Sequence, residues 1–298
     1  MSAEATQFRL PVVKTSAIGE VADGVWVIPD SDYIPMVPNI GIIVGSRATL
    51  VIDTGLGTEN AQNVLDEARR LSGGRPLFLT LTHFHPEHGY GANVFADHAT
   101  IVYNEAQWAE LQEKGEAYSQ LFREGSPDVV PLLEGVEFIA PHIRYSGTIS
   151  FDLGGGLVVE CHEHGGGHSK GDQIILVRGS TEVLFAGDLV EDRYFGVIPD
   201  DDSHVYPWID RLRELEAYGA PVVVPGHGLT GGPELISDYR AVFDLAVRRM
   251  IELRTEGGHS EEEMVETVNA ELLELHPDWE NKEWARVAAA DLKWPARP

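Results

Sequence analysis

Up to about residue 228 the chain alternates short apolar runs with stretches rich in glycine, proline and acid. Val25-Trp26-Val27-Ile28, Gly41-Ile42-Ile43-Val44, Leu50-Val51-Ile52, Pro76 to Leu81, Leu157-Val158-Val159-Glu160, Val183 to Gly187 and Pro221 to Val224 read as strands. Longer patterns at helical spacing follow. Glu105 to Glu124 carries Trp108, Leu111, Tyr118, Leu121 and Phe122 among charged residues. Gly232-Pro233 opens a helix through Arg254, with Leu235, Tyr239, Val242, Phe243, Ala246 and Met250 at helical spacing. Ser260 before Glu261-Glu262-Glu263 predicts an N-cap with an acidic first turn. Trp279, Trp284 and Trp294 are expected to dock the C-terminal segment on the core or on a second subunit. No internal repeat is evident, and no Pro/Ser-rich linker divides the chain.

One short segment carries most of the chemistry. Thr82-His83-Phe84-His85-Pro86-Glu87-His88-Gly89 places three histidines and a glutamate within six residues, just past the strand predicted at Pro76 to Leu81. Neutral imidazole is the commonest metal-ligating side chain, and zinc accepts imidazole nitrogen and carboxylate oxygen. His83 and His85 are two apart, so in extended chain they point the same way and can pinch one ion. Glu87 and His88 follow the turn at Pro86 and can face a second ion.

Two ions need more ligands, and three candidates stand downstream at the ends of apolar runs. They are His168 after Gly165-Gly166-Gly167, Asp188 after Val183 to Gly187, and His227 in Pro225-Gly226-His227-Gly228. Neighbouring glycines allow close approach and sharp turns. Asp53 is expected to hydrogen-bond the ligand loop from behind. His164, four residues before His168, is placed behind the ligands or on the cavity wall. His162, on the same strand face as His164, reads as a packing or solvent residue. Asp172 is expected to buttress the turn after His168.

With these residues the chain resembles the metallo-β-lactamase superfamily. The family's ligand order, HxHxDH, then His, then a bridging Asp, then His, stands here as His83, His85, Glu87, His88, His168, Asp188 and His227. Leu50-Val51-Ile52-Asp53-Thr54-Gly55 matches the family's strand and turn before its first helix. The resemblance spans Val25 to Gly228. It implies an α+β four-layer αββα sandwich with added C-terminal helices. It also implies two zinc ions. His83, His85 and His168 would hold the first; Glu87, His88 and His227 would hold the second; Asp188 would bridge them. Hydroxide between the ions would attack an acyl carbon in an ester, lactone, thioester, amide or β-lactam. Glu87 and Asp188 would manage the proton. The same fold is similar to iron-dependent persulfide dioxygenases and flavin-linked diiron proteins. An iron-dependent oxidoreductase, or a binding protein with a degenerate site, is therefore carried as an alternative.

Glu87 departs from the family, which has Asp there. One extra methylene could shift the distance between the metals, weaken the second site to leave one metal, or favour Mn²⁺ or Fe²⁺. Glu87 could also orient the attacking water or protonate the leaving group.

The expected domains are a catalytic domain over 1–232 and a helical extension over 233–298 packed on it. Residues 105–147 form a helical and loop insertion over the site, with the proline-bearing Gly125 to Tyr145 crossing its mouth. Substrate-pocket candidates are Tyr33, Ile34 and Met36, apolar with Val37 at the tip of an Asp30 to Pro38 hairpin, and Tyr194 and Phe195 after the Asp188 strand.

The chain has 298 residues, 43% hydrophobic content and a net charge of −26. That charge repels phosphate backbones, so a small-molecule substrate is expected and nucleic acid is not. The single Cys161 excludes internal disulfides and suits a reducing cytoplasm. Its strand-like context makes it a buried small hydrophobe. The N-terminus, Met1 to Thr6, lacks the basic start of a signal peptide, and no apolar run is long enough to span a bilayer. A cytoplasmic protein with no membrane partner is expected, and the C-terminal helices could mediate homo-oligomers.

Overall fold

The computed structural model describes residues 9–125, 127–199 and 201–292. Met1 to Thr6 and Trp294 lie outside them. The first sheet begins with an antiparallel meander: β1 (Gly19–Ala22), β2 (Val25–Ile28), β3 (Ile40–Val44) and β4 (Thr49–Ile52). Helix α1 (Gly57–Ser72) then crosses to β5 (Leu77–Thr80), parallel to β4. A single-turn helix α2 (Pro86–Gly89), β6 (Ala99–Asn104), the long α3 (Glu105–Gly125) and β7 (Ile143–Tyr145) complete a sheet of order β1-β2-β3-β4-β5-β6-β7. The second sheet comprises β8 (Thr148–Gly154), β9 (Leu157–Glu163), β10 (Gln173–Arg178), β11 (Val183–Gly187) and, after α4 (Val205–Glu216), β12 (Val222–Pro225). Its order is β12-β11-β10-β9-β8, antiparallel except for the β11–β12 pair. Helices α5 (Glu234–Glu256), α6 (Glu261–Leu275) and α7 (Lys282–Asp291) close the chain.

Alternation along the strands makes this a four-layer αββα sandwich. Ile43, Leu50 and Ile52 of the first sheet pack with Phe151, Val159, Cys161, Ile175, Val177 and Phe185 of the second, forming the layer between the sheets. The intervening residues Ile42 and Val51 turn outwards onto Ala61, Val64, Leu65 and Ala68 of α1. Ile174, Leu176 and Leu184 face the other way, onto Trp208 of α4 and Phe243 of α5. Both faces of the central strands are buried, which is why their sequences read as continuous apolar runs.

Local signals account for the ends of the helices. α1 stops at Gly73, whose φ of 57° places it in the left-handed region and whose N–H donates to Arg69 O. Ser260 and Glu263 form the reciprocal capping box at the start of α6. α5, α6 and α7 pack through Val242, Phe243, Met250, Val265 and Val268 onto the outer face of the second sheet. Among the described residues no helix is long and apolar enough to cross a membrane.

The loop between α3 and β7 departs from expectation. Its helical turn Pro127–Leu133 buries Val129, Leu132 and Leu133 in the cluster around α1. Gly57, at φ 81°, lies so close that an added Cβ would sit 1.9 Å from Leu132 O. The apolar side chains in this proline-bearing stretch fasten it beside α1, and the 127–145 stretch lines no part of the cavity described below.

Phe243 packs tilted against Trp208, ring centroids 5.2 Å apart, joining the C-terminal extension to α4. Phe243→Ala is expected to lower unfolding free energy by about 3–5 kcal/mol in urea titration. A change below about 1 kcal/mol would show that the extension does not unfold with the sandwich.

Candidate metal centre

β5, β9, β11 and β12 end at one edge of the sandwich, and the chemistry-bearing loops leave from those ends. Two groups of ligand atoms result, His83–His85–His168–Asp188 and Glu87–His88–Asp188–His227, each with its atoms within 4.8 Å of one another. All seven residues named from the sequence are brought together, and Asp188 belongs to both groups. Its Oδ2 lies 3.7 Å from His83 Nε2, 3.6 Å from His168 Nε2 and 3.6 Å from His227 Nε2. Its Oδ1 lies 3.1 Å from His88 Nε2.

The partners behind the rings determine what they present. His168 Nδ1 donates to Val197 O at 3.0 Å, and His227 Nδ1 donates to Val37 O at 2.8 Å. A carbonyl only accepts, so each Nδ1 carries the proton and each Nε2 is available as a ligand. His88 Nδ1 is held at 2.9 Å by Asp53 Oδ2. Asp53, in the left-handed region at φ 66°, also accepts from Thr82 N and Thr82 Oγ1. Its predicted role behind the ligand loop therefore has a geometry. Asp172 Oδ2 accepts from the backbone N–H of His168 and Ser169 at 2.8 Å each, so it does buttress that turn. Gly226 must be glycine for space: a Cβ there would stand 1.9 Å from Asp188 Oδ1.

The donor set fits divalent cations. His83 Nε2, His85 Nε2, Glu87 Oε2, His88 Nε2 and Asp188 Oδ1 are buried without a hydrogen-bond partner among the described residues. Such groups are costly unless something compensates them. Burial, reinforced by the neighbouring rings, holds His83 and His85 well below the usual histidine range. Burial likewise takes His168 down to about 4. These rings are neutral and ready to ligate. Burial also disfavours charge on His88 and His227, but carboxylates outweigh it: Asp188 and Asp53 raise His88, and Asp188 takes His227 to about 9. Those two rings hold protons that a metal would displace. The cations would sit in these two groups, and the longer side chain of Glu87 still brings its carboxylate into the second.

Above the groups opens a cavity of about 390 Å³. Met36 and Pro35 come from the β2–β3 connection, Tyr118, Leu121 and Phe122 from α3, and Tyr194 and Val197 from the loop after β11. Asn281 and Trp284 close it from the start of α7. Of the expected pocket residues only Met36 and Tyr194 line this cavity. Ile34 is buried, its N–H donating to Asp30 Oδ1. Tyr33 donates to Asp192 Oδ2 at 2.7 Å and stacks on Tyr194, supporting the wall from outside. Phe195 turns into the core beside Trp279 and His276. The tip is less exposed than expected, because Asn39 Nδ2 binds Pro225 O and Gly228 O and draws the connection onto the β12 loop, burying Val37 as well. His164, just past the end of β9, lies 3.2 Å from the Tyr218 hydroxyl and 3.6 Å from Glu214 of α4 and does not line the cavity.

Glu191 was not anticipated. It is buried and lines the cavity, and neither carboxylate oxygen has a hydrogen-bond partner. Burial, reinforced by Asp188, pushes its carboxyl well above the usual range. The available signal was an acidic residue directly after the apolar pair Leu189-Val190. Tyr118, stacked on His85 at 5.2 Å, and Trp284 were equally unmarked as pocket residues, because Tyr118 reads as part of an amphipathic helix and Trp284 as a docking residue of the C-terminal segment.

The sequence model of the Metallo-beta-lactamase superfamily matches residues 33–227. The acyl-coenzyme A thioesterase MBLAC2 of Homo sapiens is 29% identical over 215 residues, covering 66% of this chain and 75% of its own. Its Gallus gallus counterpart is 31% identical over 208 residues, covering 63% and 72%. A solved metallo-beta-lactamase from Pontibacter korlensis superposes with a TM-score of 0.60 at 19% identity, covering 76% of this chain and 98% of its own, a likeness of fold alone.

Two outcomes test this geometry. Asp53→Asn is expected to weaken metal binding about 10–100-fold by calorimetry, because His88 loses the carboxylate that orients it. Zinc uptake at neutral pH is expected to release protons from His88 and His227, so affinity rises with pH towards about 9. Titration in buffers of different ionisation enthalpy reads the proton count directly, and zero release would contradict the charge assignment.

Proposed function

The chain belongs to the metallo-β-lactamase superfamily, and from that premise we propose that it is a dinuclear zinc hydrolase of acyl esters or thioesters. The observation that carries the proposal is the sharing of Asp188 between two buried ligand groups beneath a cavity walled by apolar side chains. When bound, two zinc ions supply Lewis-acid polarisation of the acyl oxygen and make an attacking water acidic. The chain's own residues do the rest. Asp53, Val37 O and Val197 O fix the ligand rings, so little reorganisation accompanies reaction. Glu87 and Asp188 are the proposed proton carriers, with Glu87 Oε2 and Asp188 Oδ1 free of other hydrogen bonds. Tyr118, Phe122, Leu121 and Trp284 exclude water and receive the apolar acyl group.

The thioester preference is supported by the names of the relatives, acyl-coenzyme A thioesterase, at 29% and 31% identity. Zinc is favoured by a ligand set of imidazoles and carboxylates. The free, buried Cys161 fits a cytoplasmic setting. The acidic chain fits a small-molecule substrate in preference to nucleic acid.

Metal content by plasma mass spectrometry of protein purified without added metal is expected at about two zinc per chain, with turnover of a chromogenic thioester. Glu87→Ala is expected to drop this to about one, and His85→Ala to lose first-site metal and all activity. Iron in place of zinc, or full metal content and turnover in His85→Ala, would overturn the assignment.

A further inference from the structure

The cavity holds one buried carboxylate more than its two metal groups require. Glu191 belongs to neither group, is 2% exposed, and has no hydrogen bond at either oxygen. His227 and His88 favour its charge from a distance, but among the described residues no side chain hydrogen-bonds it. The Tyr194 hydroxyl is committed to Asp30 at 2.6 Å, and the buried Tyr239 hydroxyl has no partner of its own. No lysine or arginine lines the cavity among the described residues. A second acidic residue, Glu283, stands exposed in the cavity wall on α7.

A buried carboxylate without a partner costs several kcal/mol in general, so its presence beside a binding site calls for a partner that arrives with the ligand. Bound metals would belong to the two ligand groups, of which Glu191 is not a member, and cations nearby would favour the charged form of its carboxyl.

We propose that Glu191 determines specificity by pairing with a positively charged amine on the substrate, selecting acyl esters or thioesters that carry an ammonium close to the scissile bond. This deepens the hydrolase reading and rests on it. The apolar walls receive the carbon skeleton while Glu191 supplies a charge-assisted hydrogen bond at the cavity floor. The same arrangement disfavours a substrate carboxylate at that point, because like charges in a buried site repel.

The test uses the zinc-loaded full chain and three chromogenic esters of matched length, whose acyl tails end in methyl, ammonium or carboxylate. The wild type is expected to prefer the ammonium ester over the carboxylate ester by about tenfold to a hundredfold in kcat/KM, the range of one charge-assisted bond. Glu191→Gln should collapse that ratio to within about threefold, and Glu191→Lys should reverse it, with zinc content unchanged in Glu191→Gln. Unchanged discrimination in Glu191→Gln, or loss of zinc from that variant, overturns the proposal; the latter would make Glu191 a metal ligand. A binding readout separates this from the hydrolase reading. Hexylammonium and hexanoate are titrated into the same proteins by calorimetry. If no ester is turned over, the hydrolase reading fails. Glu191 is then judged by whether hexylammonium binding falls about tenfold or more in Glu191→Gln, with equal binding overturning its role.

Discussion

Convergence of buried, electron-rich atoms on one carboxylate is the constraint around which the molecule is arranged. Asp188 faces four ligand nitrogens from three separate loops, with Oδ2 between 3.6 and 3.7 Å from three of the nitrogens. Without cations such a cluster is expensive to bury, so its geometry has to be enforced by the fold. The enforcement can be traced atom by atom. Asp53 holds His88 and Thr82, Asp172 holds the His168 turn, Val37 O holds His227, and the bare Cα of Gly226 makes room for the carboxylate. Apart from Asp172, which lies in the turn it steadies, each support comes from an element different from the ligand it holds, and the Val37–His227 bond joins the first sheet to the second.

The sandwich makes that convergence possible. β9 and β11 point the same way because each is antiparallel to β10, and β12 follows β11 in parallel, so their C-terminal ends share an edge. The first sheet brings the end of β5 to the same place, where Gln173 N donates to Thr82 O across the sheets. Helices on the outer faces leave this edge open. α3 on one side and the start of α7 on the other raise walls around it, giving the cavity its apolar lining and acidic floor. The extension after β12 is therefore part of the site as well as of the core.

Glu87 illustrates how local structure absorbs a substitution. α2 begins at Pro86 and is a single turn long, so the glutamate leaves the backbone beside His88 and its longer side chain still joins the second ligand group. The same cavity is lined by Glu191, which has no hydrogen-bond partner among the described residues, so acidic side chains stand among its apolar ones.

Much of this was legible in the chain before folding. Strand runs, the helical patterns after Glu105, Pro233 and Ser260, and all seven ligand candidates are local signals, set by side-chain alternation, capping chemistry and the residue types a metal accepts. Asp53 and Asp172 were legible for the same reason, since a carboxylate in a tight turn has few roles. Contacts between distant segments were not. Ile34 and Phe195 look like pocket residues in a one-dimensional pattern, yet packing turns both inward; His164, just past the end of β9, lies beside Glu214 of α4. The Pro127–Leu133 turn went to α1 because its buried leucines and valine had an apolar groove there. Tyr118, Trp284 and Glu191 became cavity residues only when three separate segments met. Residue type and spacing determine what each segment can do; which segments face one cavity is decided by how the layers pack, a property no single window of sequence contains.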